Sequence, residues 1–353
     1  MYPRVNINLE HLEYNIKYLT KELSYLDEVF IVTKAHSAYE PIIDKLYEWG
    51  IRHIADSRIQ NLKVIKQKYP DITTMQLRLP MPSEVDELVK YADRSLNSEL
   101  STIKLINEAC QKANTTHDII LMIDVGDLRE GIMFDSDYLS FVKEILTFEN
   151  INLIGIGTNV TCYGSVIPTK ETLEDIVEIR NNLEKEFNIK IPVISGGNSS
   201  SIYLHFEKNL PKEVTNLRIG DAFLSGMESS YSQQIPTMYD DVFQLEAQII
   251  EIKEKPSYPI GKLGVNAFGE VVEYEDVGIH TRAIIAIGRQ DISQDDIIPL
   301  DENVKVLGSS SDHLILEIAK GTNYKVGDTL KFKLKYGGIL SLFTSKYVFK
   351  HIL

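Results

Sequence analysis

Phe30-Ile31-Val32-Thr33-Lys34-Ala35-His36-Ser37-Ala38-Tyr39 is an apolar strand that ends on a single lysine and runs on into small and polar residues. Burying an unpaired ammonium is costly, so a lysine at the end of a buried strand must reach solvent or lie in a polar pocket. An amine held in such a pocket can act as a nucleophile and form a Schiff base with an aldehyde cofactor. The plainer reading is a lysine that marks where the strand leaves the core. The surrounding rhythm decides between them.

Upstream, Leu9, Leu12, Ile16, Leu19, Leu23 and Leu26 recur at helical spacing behind Asn8, a suitable N-cap. Downstream, Pro41 suits the first position of a helix that Gly50 can end. Strand patterns then alternate with helical ones, at 53–57, 74–79, 94–98, 118–125, 153–159, 191–195 and 216–223. The run Ile119-Ile120-Leu121-Met122-Ile123 is continuous and apolar, as expected of a parallel strand covered on both faces. Eight strands and their helices in about 225 residues fit a closed (β/α)8 TIM-type barrel. An open doubly wound sheet is the competing architecture, and the first strand lacks the Gly-x-Gly-x-x-Gly turn such a sheet uses for dinucleotides.

From about residue 240 the pattern shortens to strand-like runs with Gly and Asp between them. The expected organisation is therefore α/β, with a barrel over 1–228 and a C-terminal all-β domain over 229–353. No internal repeat or low-complexity tract is present. Arginine and lysine total 37 against 51 acids, a net charge of -14. That balance argues against nucleic acid and against an anionic membrane surface as partners. Two cysteines, Cys110 and Cys162, make no disulfide framework and no metal-ligand spacing. With no apolar run of signal-peptide or membrane-spanning length, a reducing cytoplasm is the expected compartment.

Barrel enzymes carry their reactive groups at the carboxyl ends of the strands, and phosphate commonly binds after strands seven and eight. After the seventh comes Ser195-Gly196-Gly197-Asn198-Ser199-Ser200-Ser201, where glycines admit an anion to backbone amides and hydroxyls can donate to it. After the eighth, Arg218-Ile219-Gly220-Asp221 places a second glycine amide within reach of the same phosphate. A lysine at the first strand and a phosphate cradle at the last two together specify pyridoxal 5'-phosphate. Arg129, just past the fifth strand, can grip a carboxylate bidentately. Arg218, facing the mouth, would keep a pyridine nitrogen unprotonated and so favour proton removal and return over transamination.

These residues resemble the alanine racemase class of pyridoxal-phosphate enzymes, and within it the alanine/ornithine racemase group. The likeness runs through Val32-Thr33-Lys34, Ala55-Asp56-Ser57-Arg58, the 124–131 and 155–164 segments, Ser195 to Ser201, Leu217-Arg218-Ile219-Gly220, Ala267-Phe268-Gly269, Ala286 to Asp291 and Ser310 to His313. The resemblance implies that Lys34 carries the cofactor and serves as one catalytic base. It implies that Asn198, Ser199 and the amides around Gly220 and Asp221 bind phosphate, with Tyr336 nearby. It places Arg218 at the ring nitrogen, Arg129 at the phenolic oxygen or substrate carboxylate, and Ser311 and Arg289 at the substrate. It also implies a head-to-tail homodimer, the β domain of one copy closing the barrel mouth of the other.

Two departures bear on substrate and mechanism. Alanine racemases use a tyrosine in Ile-Gly-Tyr-x-Asp-Gly as the second base, and here the matching stretch is Ile287-Gly288-Arg289-Gln290-Asp291. Arginine is a poor base, so His280, His313, Cys162 and Tyr274 are the candidates for the opposite proton carrier. Ala38 stands where the alanine enzymes have a tyrosine four residues after the lysine, with Tyr39 one later, and His36 and Ser37 also differ from the ornithine enzymes. Asp127, Glu130, Asp276 and Asp291 could receive the far amine of a basic amino acid. The expected activity is an isomerase that racemises ornithine or a related basic amino acid. Alternatives are racemisation of alanine or serine, a pyridoxal-phosphate aldolase or decarboxylase, a noncatalytic carrier of the cofactor, and a cofactor-free barrel.

Overall fold

The computed structural model describes residues 1–353, which gather into two compact units, Leu12–Asp240 and Met1–His11 with Asp241–Leu353. The chain begins with β1 (Arg4–Ile7), α1 (Leu9–Glu22), β2 (Glu28–Val32), α2 (Glu40–Glu48), β3 (His53–Asp56), α3 (Ile59–Lys68) and β4 (Thr73–Gln76). It continues through α4 (Val85–Tyr91), β5 (Arg94–Asn97), α5 (Leu100–Ala113), β6 (His117–Asp124), the short β7 (Ile132–Met133), α6 (Tyr138–Ile145) and β8 (Ile151–Gly157). Then come α7 (Lys170–Phe187), β9 (Val193–Ser195), α8 (Ile202–Phe206), β10 (Asn216–Ile219) and α9 (Asp221–Ser225).

Strands β2, β3, β4, β5, β6, β8, β9 and β10 pair in parallel, and β10 returns to β2, so the sheet closes into an eight-stranded barrel. Side chains alternate across each strand, and Phe30, Val32, Ala55, Met75, Leu96, Ile120 and Met122 fill the interior. Lys34 stands two residues past Val32, at the carboxyl end of β2, where the chain leaves the strand for a 3-10 turn. The Thr33 hydroxyl between them donates to Asp56 Oδ2 at 2.7 Å.

The second unit contains β11 (Phe243–Pro256), β12 (Ile279–Ile285), β13 (Ile297–Pro299), β14 (Val304–Ser309), β15 (Leu314–Ile318), β16 (Thr329–Leu334), α10 (Tyr336–Thr344) and β17 (Phe349–Ile352). Its pairings are antiparallel except for β1 with β17. Leu245, Ala247, Ile249, Ala283, Leu316 and Phe332 are buried in its core.

Two features differ from the sequence expectation. The 1–228 boundary places residues 4–7 with the barrel, whereas β1 pairs with β11 and β17 and lies in the β unit. In the C-terminal unit expected to be all-β, β16 stops at Leu334 and a nine-residue helix, α10, follows it. That helix starts tight against Asp296, where a Cβ on Gly337 would meet Asp296 Oδ1 at 2.6 Å. A larger residue would have to push the Asp296 carboxylate aside, and the two glycines conceal the helical pattern.

Candidate active site

Lys34 opens a single 3-10 turn directly after β2. The turn closes through Ser37 N to Lys34 O at 3.2 Å and Ala38 N to Thr33 O at 3.2 Å. Ser37 and Ala38 hold left-handed backbone, φ 49° and 46°, a strained conformation for alanine. His36 inside the turn is buried, and burial pulls its imidazole down to about 4, so it is neutral at physiological pH. Lys34 is half-buried, and its Nζ makes no hydrogen bond or ion pair.

The loop after β9 and the turn after β10 meet at Ser199. Ser199 Oγ accepts from Ala222 N at 3.2 Å and from Gly220 N at 3.4 Å. Asn198 Oδ1 accepts from Ser200 N at 2.7 Å, and its Nδ2 donates to Asn159 Oδ1 at 2.9 Å and Val160 O at 3.0 Å. Gly197 has φ 111°, and a Cβ there would meet Ser201 Oγ at 2.7 Å, so both space and backbone require glycine. A buried hydroxyl on which two amides converge, beside a glycine turn, suits a phosphate, and the residues present therefore fit pyridoxal phosphate. Asp221 sits in the same corner with Oδ1 buried and unpartnered. Burial raises its carboxyl above the ordinary range, against hydrogen bonds from Ser229 and Ser225 and the charge of Lys34.

Arg218 is 3% exposed and points along the interior of β10. Its Nη2 donates to Thr158 O at 2.8 Å and Asn159 Oδ1 at 3.4 Å, and its Nη1 donates to Ser195 Oγ, which in turn donates to Asn216 Oδ1. Burial lowers this guanidinium to about 10, with Glu130 and Cys162 acting in the opposite direction, so it stays protonated at neutral pH. Arg129 is paired with Glu130. Burial would lower Arg129, but the Cys162, Glu130 and Asp127 side chains beside it act the other way and the net displacement is upward. The Cys162 thiol is exposed and accepts from Asn159 Nδ2 at 3.1 Å.

Asp127 holds this corner together. It is 1% exposed, and its two oxygens accept the backbone N–H groups of Thr161, Cys162, Tyr163 and Val166. Its lone pairs are therefore spent on the β8 loop, which removes it from the acids that could receive a far amine. Asn159 and Ala222 escaped the sequence reading. Asn159 follows the carboxyl end of β8, where position alone marks a site candidate, but nothing in the sequence distinguishes Ala222.

The β unit holds the rest. Arg289 pairs bidentately with Glu270, at 3.0 Å for both contacts, and its guanidinium lies 4.1 Å over the Phe268 ring. Gln290 N donates to Ser311 O at 3.0 Å and Arg289 N to Ser310 O at 2.9 Å, so Arg289, Ser311 and the exposed His313 share one corner. His280 is 7% exposed within the sheet, 3.0 Å from Arg282 Nη2 and 3.5 Å from Glu317. Tyr274 is exposed, edge-on to Tyr258. Asp276 accepts from Ser257 and Asp291 from Ser345, while Tyr336 opens α10.

Residues 7–226 match the family model described as alanine racemase, N-terminal domain. The ornithine racemase of Acetoanaerobium sticklandii is 46% identical over 358 aligned residues, covering 100% of each chain. The lysine racemase of Thermotoga maritima is 38% identical, covering 99% of this chain and 98% of its own. An alanine racemase of Clostridium difficile 630 has a TM-score of 0.74 at 18% identity, over 99% of this chain and 95% of that one, a likeness of fold. With a barrel closed as described and a family match that spans nearly all of it, the chain belongs to the alanine racemase N-terminal domain family.

Proposed function

We propose that the protein is a pyridoxal-phosphate-dependent amino-acid racemase that interconverts the enantiomers of ornithine or a related basic amino acid. The observation that carries this reading is the meeting, at one barrel mouth, of the Lys34 amine with the Ser199 cradle and the buried, charged Arg218. Full-length similarity to relatives named ornithine racemase and lysine racemase supports the substrate class. Enzymes of this family and fold use pyridoxal phosphate in general.

When bound, that cofactor supplies an electron-withdrawing ring that acidifies the Cα–H of an amino acid joined to it through its amine. The chain's own residues do the rest. Ser199 and the amides of Gly220 and Ala222, which here donate to its hydroxyl, would hold the phosphate. Arg218, which stays protonated, would donate to the ring nitrogen and so limit electron withdrawal, favouring return of the Cα proton. Lys34 Nζ removes or returns that proton on one face. Arg129, steadied by Glu130, orients the substrate carboxylate or the phenolic oxygen. Cys162 at the mouth, and His313 and Tyr274 in the β unit, are the exposed candidates for the opposite face, whereas His280 is enclosed by its sheet neighbours.

The working form in this proposal is a head-to-tail homodimer in the cytoplasm. Its support is the exposed corner of Arg289, Ser311 and His313, the apolar side chains exposed between β11 and β12, such as Ile260 and Val271, and two unpaired cysteines. The test is a panel of single L-amino acids incubated with the purified protein and pyridoxal phosphate. Loss of optical rotation with ornithine or lysine, and far less with alanine, is expected. No turnover of any amino acid overturns the assignment, and a new small product by mass spectrometry replaces it with an aldolase or decarboxylase.

A further inference from the structure

The side chain of Asp221 has no role in the reading above, in which only backbone amides at that turn are used. Its Oδ2 accepts from Ser229 Oγ at 3.0 Å, while Oδ1 is buried without a hydrogen-bond partner. A buried carboxylate oxygen left without a donor is costly, and such a group in a folded protein points to a donor that completes it. The sheet register says which. Ile219 of β10 pairs with Ile31 of β2. Gly220 then comes against Val32, where an added Cβ would stand 3.0 Å from Val32 Cβ. Asp221, one residue on, opens α9 at the carboxyl end of β10, next to the end of β2 from which Lys34 follows. The Thr33 hydroxyl is already committed to Asp56 at 2.7 Å. Lys34 Nζ is uncommitted, and Lys34 is the charged group that acts on Asp221.

We propose that the Asp221 carboxylate is the positioning residue of Lys34, its Oδ1 accepting an N–H from Nζ whenever that nitrogen is not covalently engaged. Ser229 fixes the carboxylate through Oδ2, and the carboxylate in turn holds the ammonium over the barrel mouth. No proton passes to the carboxylate in this hydrogen bond, so no co-reactant is needed. The functional sense of this rests on the racemase reading. Once an incoming amine has displaced Lys34, the freed lysine must be kept in place, with a proton to return. Asp221 touches neither substrate nor cofactor in this scheme; it acts through Lys34.

The test reads Lys34 directly, on the full-length chain freed of cofactor. Reductive methylation with formaldehyde and cyanoborohydride at neutral pH attacks the neutral amine, and peptide mass spectrometry gives the rate at Lys34 relative to exposed Lys262 as an internal standard. Asp221→Asn keeps the shape and removes the charge, and is expected to speed labelling of Lys34 about fivefold, the water-screened limit of a single-charge interaction at contact distance. Asp221→Glu, which keeps the charge, is expected to stay within about twofold of the natural chain, a margin well inside one charge interaction. Ser229→Ala, which unties Oδ2 and leaves the carboxylate, is expected to raise the ratio by a smaller factor and serves if Asp221→Asn does not fold. An unchanged ratio in Asp221→Asn, or equal ratios in Asp221→Asn and Asp221→Glu, overturns the proposal, as does an unchanged Ser229→Ala where Asp221→Asn is unfolded. No amino acid enters this assay, so a failed racemase reading leaves the labelling ratio standing and a failed ratio leaves turnover standing.

Discussion

Replacing Asp127 by asparagine tests whether the two mouth loops are joined by one carboxylate. Oδ1 accepts from Thr161 N at 3.0 Å and Val166 N at 3.2 Å, and Oδ2 from Tyr163 N at 3.0 Å and Cys162 N at 3.4 Å. In asparagine one of these oxygens becomes an amide NH2, so two N–H groups lose an acceptor and face a donor instead. Hydrogen bonds to a charged acceptor contribute about 1.5–3 kcal/mol each, so the loss is bounded near ~6 kcal/mol; partial rehydration of the loop brings the expected value to about 3 kcal/mol. Urea unfolding measures the total, and hydrogen exchange at residues 161–166 locates it. The pH dependence carries a sign of its own. Burial opposes ionisation of Asp127, but the amides of Tyr163, Val166, Gly164 and Cys162 outweigh it and hold the carboxyl below the usual range. A native value below the unfolded one gives stability that is full above about pH 4 and lost as pH falls through the lower native value. Asp127→Asn removes that acid limb. In turnover the variant should raise KM more than it lowers kcat, because the loop bearing Cys162 and the Asn159 contact is loosened. A stability change under about 0.5 kcal/mol with unchanged exchange at 161–166 refutes the reasoning.

Other consequences can be checked separately. His117 is buried against Ser95 Oγ at 2.8 Å, and burial pulls its imidazole down to about 4, with Asp118 and Asp93 opposing. An unfolded histidine titrates near 6.5, so this contribution is full above about pH 6.5 and is lost as pH falls toward 4, on the order of 3 kcal/mol at 1.36 kcal/mol per pH decade. His117→Gln should flatten urea-denaturation stability across that window, and an unchanged slope sinks the idea. Gly288→Ala would drive a Cβ to 2.5 Å from Ser311 O and 2.6 Å from the amides of Asp312 and His313. The backbone must shift, at about 1–3 kcal/mol, and the corner carrying Arg289 and Ser311 shifts with it. An unaltered Tm would show that this loop absorbs the methyl without strain. Arg218→Lys leaves one ammonium to serve Ser195, Thr158 O and Asn159, and should cost about 1–3 kcal/mol in chemical denaturation, where a neutral result would mean the fork is not needed.

The barrel was legible because its strands are covered on both faces. Ile119 through Ile123 are all fully buried, and such runs can be read without knowing their neighbours. The Lys34, Ser199 and Arg218 positions were legible for a related reason: each falls where a strand ends, and barrels keep their chemistry there. What could not be read is whatever depends on a partner far along the chain. The four residues Arg-Val-Asn-Ile of β1 say nothing of β11, more than 230 positions away, whose pairing carries them into the β unit. Helix α10 is hidden by two glycines whose reason is Asp296, forty residues earlier.

The acids make the same point most sharply. Asp127 and Asp221 are each a carboxylate just past a barrel strand, and in sequence nothing separates them. In the fold, the β8 loop brings four amides to Asp127 and uses up both oxygens, while at Asp221 the Ser229 hydroxyl takes Oδ2, the Ser225 hydroxyl donates to the backbone oxygen at 2.9 Å, and Oδ1 is left open. A saturated carboxylate can only hold backbone; one with a vacant lone pair can take a donor. Which of two identical residues is scaffold and which is available to Lys34 is thus decided by the number of N–H and O–H groups that other segments deliver.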